Sequence, residues 1–228
     1  MLELLNQFVP NIMDKLPDFW TAILETFIML GIVGVISLLI GTLFGVIMVV
    51  TKKEGILENA ILYFLIGKVI DFFRAIPFIV LIFLIAPMTR AIVGTTIGST
   101  ASLVPLVIYI SPYLARLMEN SLLEINPGIL EAAEAMGAST WQTIRYFLLP
   151  ETLGSIVLAL TTGTIGLLGA SAMAGYVGGG GVGDLALTYG YQRMNTPLMI
   201  FTVVVLVVFV QILQLAGNTI SRKLRQHR

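Results

Sequence analysis

The sequence predicts an all-α integral membrane protein, and three observations carry that prediction. Of its 228 residues, 57% are hydrophobic and only 11% charged, whereas an ordinary soluble domain carries about 25% charged residues. With a mean hydropathy of +0.96, such a chain cannot cover a water-facing surface, so lipid must be its main solvent. The apolar residues gather into five runs, each near or above the roughly 20 residues needed to cross a hydrocarbon core of about 30 Å. A backbone in lipid must satisfy its own hydrogen bonds, so these runs are expected to be helices.

The first run, Trp20 to Val50, has Glu25 as its only charge and is closed by Lys52 and Lys53. It is long enough to cross with tilt or to protrude. The second, Ile56 to Ala86, carries Glu58, Lys68, Asp71 and Arg74 before Pro77 opens its cleanest apolar part. The third, Ala101 to Met118, contains Pro105 and Pro112. The fourth is Glu151 to Ala174, and the fifth, Pro197 to Ala216, leads into a basic tail over 217–228. Ahead of the first run, Leu2, Leu4, Leu5, Phe8, Val9 and Ile12 recur at helical spacing. Residues 1–19 thus read as an amphipathic segment on the outer membrane face, with a frayed terminus as the plainer alternative. The start of the chain lacks the basic cluster and the cleavage site of a secretory signal.

Loop charge orients the spans. One side holds Lys52, Lys53, Arg116, Arg145 and the four bases of the tail; the other holds Lys15, Arg90 and Arg193. Positive charge stays in the cytosol, so the N-terminus is expected outside and the C-terminus inside. The chain is expected to pass several times through a bacterial plasma membrane.

The most informative stretch is a polar island over 124–150, between the third and fourth runs, which this orientation makes cytosolic. Asn126 can cap a helix with Pro127 in its first position. Gly137 suits the left-handed residue that ends such a helix. Ser139 and Gln142 have the spacing of a capping box, and Pro150 is expected to start the next span. Two short helices joined at a glycine make a compact, water-facing knob, suited to be gripped by a cytosolic partner. The plainer reading is an ordinary hairpin loop.

Small residues suggest tight helix contacts. Ser37, Gly41 and Gly45 recur every four residues, the spacing that lets membrane helices approach closely. Gly163, Gly166 and Gly169, with Ser171 and Ala174, mark the fourth run as tightly packed or as lining a path.

Several chemistries are excluded or weak. With no cysteines there is no disulfide scaffold and no thiol chemistry. The single histidine, His227, sits in the basic tail and reads as solvated. Gly178, Gly180 and Gly183 match G-x-G-x-x-G, but the pattern needs a strand before it and a helix after it in a βαβ unit. It follows a membrane run instead, so a flexible outer turn, re-entrant or part of a gate, is expected. No phosphate-binding G-x-x-x-x-G-K-S/T run exists, so nucleotide-driven work needs another subunit. Glu131 and Glu134 read as a charged contact face rather than as acid and base. Lys68, Asp71 and Arg74 fit a ladder on one helix face, and Asp184 reads as a solvated loop residue. Met173, Tyr176, Tyr189, Tyr191 and Met194 fit an interfacial aromatic belt more readily than a ligand site. Balanced charge gives no reason to expect a nucleic-acid partner.

These segments resemble a family. Glu131-Ala132-Ala133, Gly137 and Leu149-Pro150 have the spacing of the EAA loop of ABC-importer permeases, with Phe147 where the family usually has isoleucine. Phe73 to Phe78, Pro87 to Arg90, Ser171 to Gly175, Gly180 to Gly183 and Tyr189 to Tyr191 look like its methionine-uptake branch. The resemblance runs from about Trp20 to the C-terminus. It implies a type I ABC importer transmembrane fold over 20–216, with five helices per subunit, in a two-fold homodimer. It also implies two cytosolic ATPase subunits, which bind the ATP and Mg, an external methionine-binding lipoprotein, and L- or D-methionine as cargo. Glu131, Ala132, Ala133, Glu134, Gly137, Leu149 and Pro150 would carry coupling to the ATPase. Ser171, Met173, Tyr176, Gly180 and Gly183 are candidates for the path or its gate. The chain itself would be no enzyme and hold no cofactor or metal. The alternatives are a permease for another amino acid or small substrate, a gradient-driven secondary transporter, and a non-transporting assembly protein. Secondary transporters often show inverted repeats, and no matching halves occur here.

Overall fold

The computed structural model describes residues 12–226. Most of the proposed N-terminal amphipathic segment, and His227, therefore lie outside the described residues. The elements are all helical. In chain order they are α1 (Ile12–Thr51), α2 (Ala60–Ala75), α3 (Phe78–Leu84), α4 (Ala86–Val93), α5 (Ser99–Leu122), α6 (Pro127–Ala135) and α7 (Thr140–Gln142). A π-helical turn over Thr143–Leu148 leads to α8 (Leu149–Glu151) and α9 (Leu153–Ala174). A 3-10 turn over Gly175–Val177, α10 (Gly181–Leu185), a second π-helical turn over Ala186–Gln192 and α11 (Thr196–Gln226) complete the chain.

Among the described residues, four helical stretches are long and apolar enough to cross a membrane: Pro17–Thr51, Ser99–Leu122, Leu153–Val177 and Thr196–Gln226. They cover four of the five expected runs. The second run differs, because the single span expected over 56–86 is broken into α2, α3 and α4. Pro77 is the cause of the first break. It has no N–H to donate, and its own backbone is extended, at φ −58° and ψ 137°. The second break falls at Ile85, whose φ of −96° and ψ of 8° leave the helical region just before Pro87. The fifth run also extends beyond its expected end: α11 carries the first part of the basic tail as helix.

The chain forms two compact units. One takes the residues up to Val35, Ile76–Tyr109 and Thr164–Ile212. Its core joins Phe19 and Ala22 of α1 to Val182 and Leu185 of α10 and Leu198 of α11. The Phe19 and Phe201 rings meet at 5.3 Å between centroids.

The other unit takes Ile36–Ala75, Ile110–Gly163 and the chain from Leu213 on. Here the small-residue stripe of α1 does what its spacing predicts. A Cβ on Gly41 would lie 2.7 Å from Leu114 Cβ, and one on Gly45 would lie 2.6 Å from Met118 Cβ, so the backbones of α1 and α5 pack too closely for any side chain. The glycines of α9 divide. Gly163 lies against the Leu114 side chain, whereas a Cβ on Gly169 would meet open space.

One rung of the ladder expected on α2, Asp71–Arg74, is present, within a wider network. Asp71 pairs with Arg116 of α5 at 2.9 Å and with Arg74 at 3.6 Å. Arg116 also pairs with the buried Glu119 at 2.7 Å, which accepts a hydrogen bond from the Tyr63 hydroxyl at 3.1 Å. Lys68 stands instead over the Phe64 ring, 5.5 Å from its centroid.

Candidate functional site

The island between α5 and α9 is built by local rules, one residue at a time. Asn126 is extended and its Oδ1 accepts from Gly128 N–H at 3.0 Å, with Pro127 in the first helical position. That satisfies one of the donors a helix start leaves free. At the other end Gly137 N–H donates to Glu134 O at 2.9 Å and Ala138 N–H to Ala133 O at 3.0 Å. This is the Schellman closure, and it requires Gly137 in the left-handed region, where its φ is 71°. Two residues on, Ser139 and Gln142 form the capping box. Ser139 Oγ accepts from Gln142 N–H at 3.4 Å, and Gln142 Oε1 accepts from Ser139 N–H at 2.8 Å. The two caps thus follow each other almost without a gap, and both ends of the bend are fixed.

The expected start of a span at Pro150 is displaced. Pro150 lies inside α8, the helical backbone breaks at Thr152 (φ −98°, ψ 6°), and α9 begins at Leu153. A proline inside a helix removes a donor and crowds the carbonyl four residues back. The wider π-helical turn over 143–148 precedes it directly, where wider spacing relieves that crowding.

One face of the island is anchored and the other is free. Ala133 and Leu148 are fully buried, and Leu148 packs with Val49, Leu122 and Ile125. Glu131, Ala132, Glu134 and Gly137 are exposed, and Leu149 and Pro150 are half-buried. Three large apolar side chains that the sequence does not single out are uncovered here: Met136, Trp141 and Tyr146, each about two-thirds exposed. Beside them a cleft of about 630 Å³ is lined by Lys52, Lys53, Glu131, Glu134, Thr140 and others. Exposed aromatic and methionine side chains next to charge are the composition of a protein-binding face.

The glycine segment over 178–183 is fixed rather than loose. Gly178 (φ 67°), Gly180 (φ 73°) and Gly181 (φ 82°) all lie in the left-handed region. Gly178 N–H donates to Gly175 O at 3.0 Å, and Gly98 N–H donates to Val177 O at 3.1 Å. Gly183 is not in a turn at all. It lies buried in α10, where a Cβ would come 2.1 Å from Ala172 Cα of α9. Ser171 is buried and its hydroxyl donates to Leu168 O at 2.8 Å, whereas Met173 and Tyr176 are exposed. Tyr189 is half-buried against the core, with the Arg193 guanidinium 4.4 Å from its ring centroid. Tyr191 and Met194 are exposed. The Asp184 carboxyl is pushed above its ordinary value by burial and by Glu25, although its bond from Thr188 Oγ1 at 3.0 Å works the other way. It is half-buried rather than freely solvated. Among the described residues no group of acidic or histidine side chains could hold a metal ion.

Comparison with known proteins bears on the whole chain. Residues 41–226 match the family described as the binding-protein-dependent transport system inner membrane component. The chain belongs to this family. It is therefore a membrane-embedded permease component of a transport system, as the EAA-type island suggests. It is 47% identical over 203 residues to the probable D-methionine transport system permease protein MetI of Vibrio cholerae, covering 89% of this chain and 90% of that protein. It is 35% identical over 216 residues to the methionine import system permease protein MetP of Bacillus subtilis, covering 95% and 96%. A solved inward-facing MetNI methionine ABC transporter superposes with a TM-score of 0.90 at 41% identity, covering 92% of this chain and 98% of that one. The type I ABC importer transmembrane fold is thereby established for this permease. A solved amino acid ABC transporter with histidines, 20% identical with a TM-score of 0.72, shares the fold.

Proposed function

We propose that this chain is the permease subunit of an ATP-driven importer of methionine, L- and D-, and close analogues. What most directly supports the reading is likeness to methionine permeases along nearly the whole chain, including 41% identity to a chain of the MetNI methionine ABC transporter over 92% of the present chain. Two copies enclose the path, with the N-termini outside and the C-termini in the cytosol, and the broken segment α2–α4 makes the fifth crossing in each. Two ATPase subunits bind ATP and Mg on the cytosolic side, and an external binding lipoprotein delivers the cargo.

Coupling runs through the island. Its exposed face, with Glu131, Ala132, Glu134, Met136, Trp141 and Tyr146, meets the ATPase. Ala133, Gly137, Leu149 and Pro150 hold that face in shape. Closed caps at Asn126, Gly137 and Ser139 make it a rigid handle, so a push on it moves helices rather than bending a loop. ATP-driven closure of the ATPase pair then rocks the two permease copies between inward- and outward-facing arrangements. Ser171, Met173, Tyr176, Gly180 and Gly183 lie along the outer part of the path or its gate.

The test is uptake of labelled L-methionine into liposomes carrying the permease, its ATPase and the binding protein. Uptake that requires both ATP and the binding protein, and that unlabelled D-methionine competes away, is expected. A complex that hydrolyses ATP but ignores methionine keeps the importer and removes the cargo. Uptake that follows an ion gradient without ATP would overturn the reading.

A further inference from the structure

Glu25 is the only charge between Trp20 and Val50, and nothing in the coupling scheme uses it. By loop charge it lies in the outer part of its span. A lone carboxylate there is costly unless it is paired or hydrogen-bonded. The structure gives it a defined task. Its Oε2 accepts a hydrogen bond from Gly181 N–H at 2.8 Å. The next residue, Thr26, is buried, and its Oγ1 accepts from Val182 N–H at 2.9 Å while donating to Ala22 O at 2.9 Å. Two adjacent side chains of α1 thus hold two consecutive backbone donors, 156 residues away in sequence, at the start of α10. Proximity is enforced by glycine: a Cβ on Gly180 would fall against the Glu25 carboxylate, and one on Gly181 would lie 2.8 Å from Thr26 Oγ1. Their positive φ values, 73° and 82°, aim the peptide donors at α1.

We propose that Glu25 and Thr26 are positioning residues for transport, a two-point clasp that fixes the outer glycine turn over 178–180 to the start of α10 and so holds the outer gate in register with the helices. The proposal rests on the importer reading above. The carboxylate acts through its acceptor oxygen rather than by contact with cargo.

The test uses the full reconstituted complex with E25A, E25Q, T26V and T26S, each read in two ways. The first is hydrogen exchange of the 178–192 segment, which needs no cargo. Loss of a charge-assisted bond should speed exchange at Gly181 and Val182 roughly 10- to 100-fold in E25A, and loss of a neutral one about fivefold in T26V, with residues 127–137 unchanged. The second is methionine imported per ATP hydrolysed, which should fall severalfold in both variants and recover in E25Q and T26S, since each keeps an acceptor oxygen. A residue needed only for folding would lower yield without changing that ratio in the protein that assembles. If E25A fails to assemble, T26V, which keeps the side-chain shape, decides by the same two measures. Unchanged exchange at 181 and 182, or an unchanged ratio of uptake to hydrolysis, would overturn the proposal. Should the wild-type complex import nothing, the importer reading fails, and the exchange data alone decide whether the clasp exists.

Discussion

Gly137 separates backbone geometry from partner docking in a way that one substitution series can read. Its φ of 71° closes α6, and a Cβ there would meet nothing within 4 Å. The penalty for Gly137→Ala is therefore conformational and not steric, about 1–2 kcal/mol for a non-glycine residue in the left-handed region. That shifts the closed form of the bend against its alternatives by a factor of roughly 5–30. Asparagine tolerates this region better, so Gly137→Asn should stay nearer to wild type. Gly137→Trp carries the same backbone penalty as alanine and adds bulk on the exposed face of the island. The assay is methionine uptake and ATP hydrolysis measured on one preparation of the complex. Alanine should lower uptake in part, asparagine less, and tryptophan should abolish uptake while hydrolysis and the spans persist. If tryptophan transports as well as alanine, this position does not face the ATPase. If asparagine is as impaired as alanine, the left-handed penalty is not what Gly137 relieves.

Other substitutions test the packing and the charges. Gly183→Ala places a Cβ 2.1 Å from the Ala172 backbone and should sharply lower the yield and melting temperature of detergent-purified complex, whereas Gly169→Ala, facing open space, should leave both unchanged. Glu119→Gln weakens the pair with Arg116, although Asp71 remains to hold the guanidinium, so a thermal-unfolding loss of roughly 2–3 kcal/mol is expected. Because the Asp184 carboxyl is held above its ordinary 3.8, its contribution to stability is fully present below that value and is lost as pH rises through the raised one. Melting temperature should thus fall over that window in the wild type, and less so in Asp184→Asn.

What was legible in the sequence divides by range. Asn126, Gly137 and the Ser139–Gln142 pair were readable because each cap is a rule within four residues, and the structure satisfies all of them. The stripe Ser37–Gly41–Gly45 was readable as a close contact, though its partner, α5, was not. In the second run the change at Pro77 is legible as the start of its cleanest apolar part, whereas the break at Ile85 is not, because hydrophobicity alone does not register it. The same proline logic hid the π-helical turn before Pro150, since accommodation of a proline depends on the turn built ahead of it. Of the Lys68–Asp71–Arg74 ladder the Asp71–Arg74 rung is present, but the shorter pair of Asp71 with Arg116, 45 residues away, was not legible, and Lys68 stands over Phe64 instead. The partner of Glu25, the only charge of the first run, is not legible in the sequence for the same reason: the donor it accepts from is 156 residues away. Met136, Trp141 and Tyr146 were visible as letters, but only the fold shows that none of them is covered.

The claim at the centre of the account is that the island over 124–150 is where the ATPase grips. The chain has no cysteine of its own, so a single introduced thiol reports one position. Trp141→Cys on the island and Met194→Cys in the outer loop replace side chains that are 68% and 85% exposed. Each would be treated with a thiol-to-amine crosslinker in the assembled complex in membranes. Crosslinking of position 141 to the ATPase subunit, with position 194 crosslinked only to the binding protein and reactive to an impermeant reagent from outside, is the expected result. An ATPase crosslink from position 194 would contradict the orientation, and none from 141 in a complex that hydrolyses ATP would contradict the docking face.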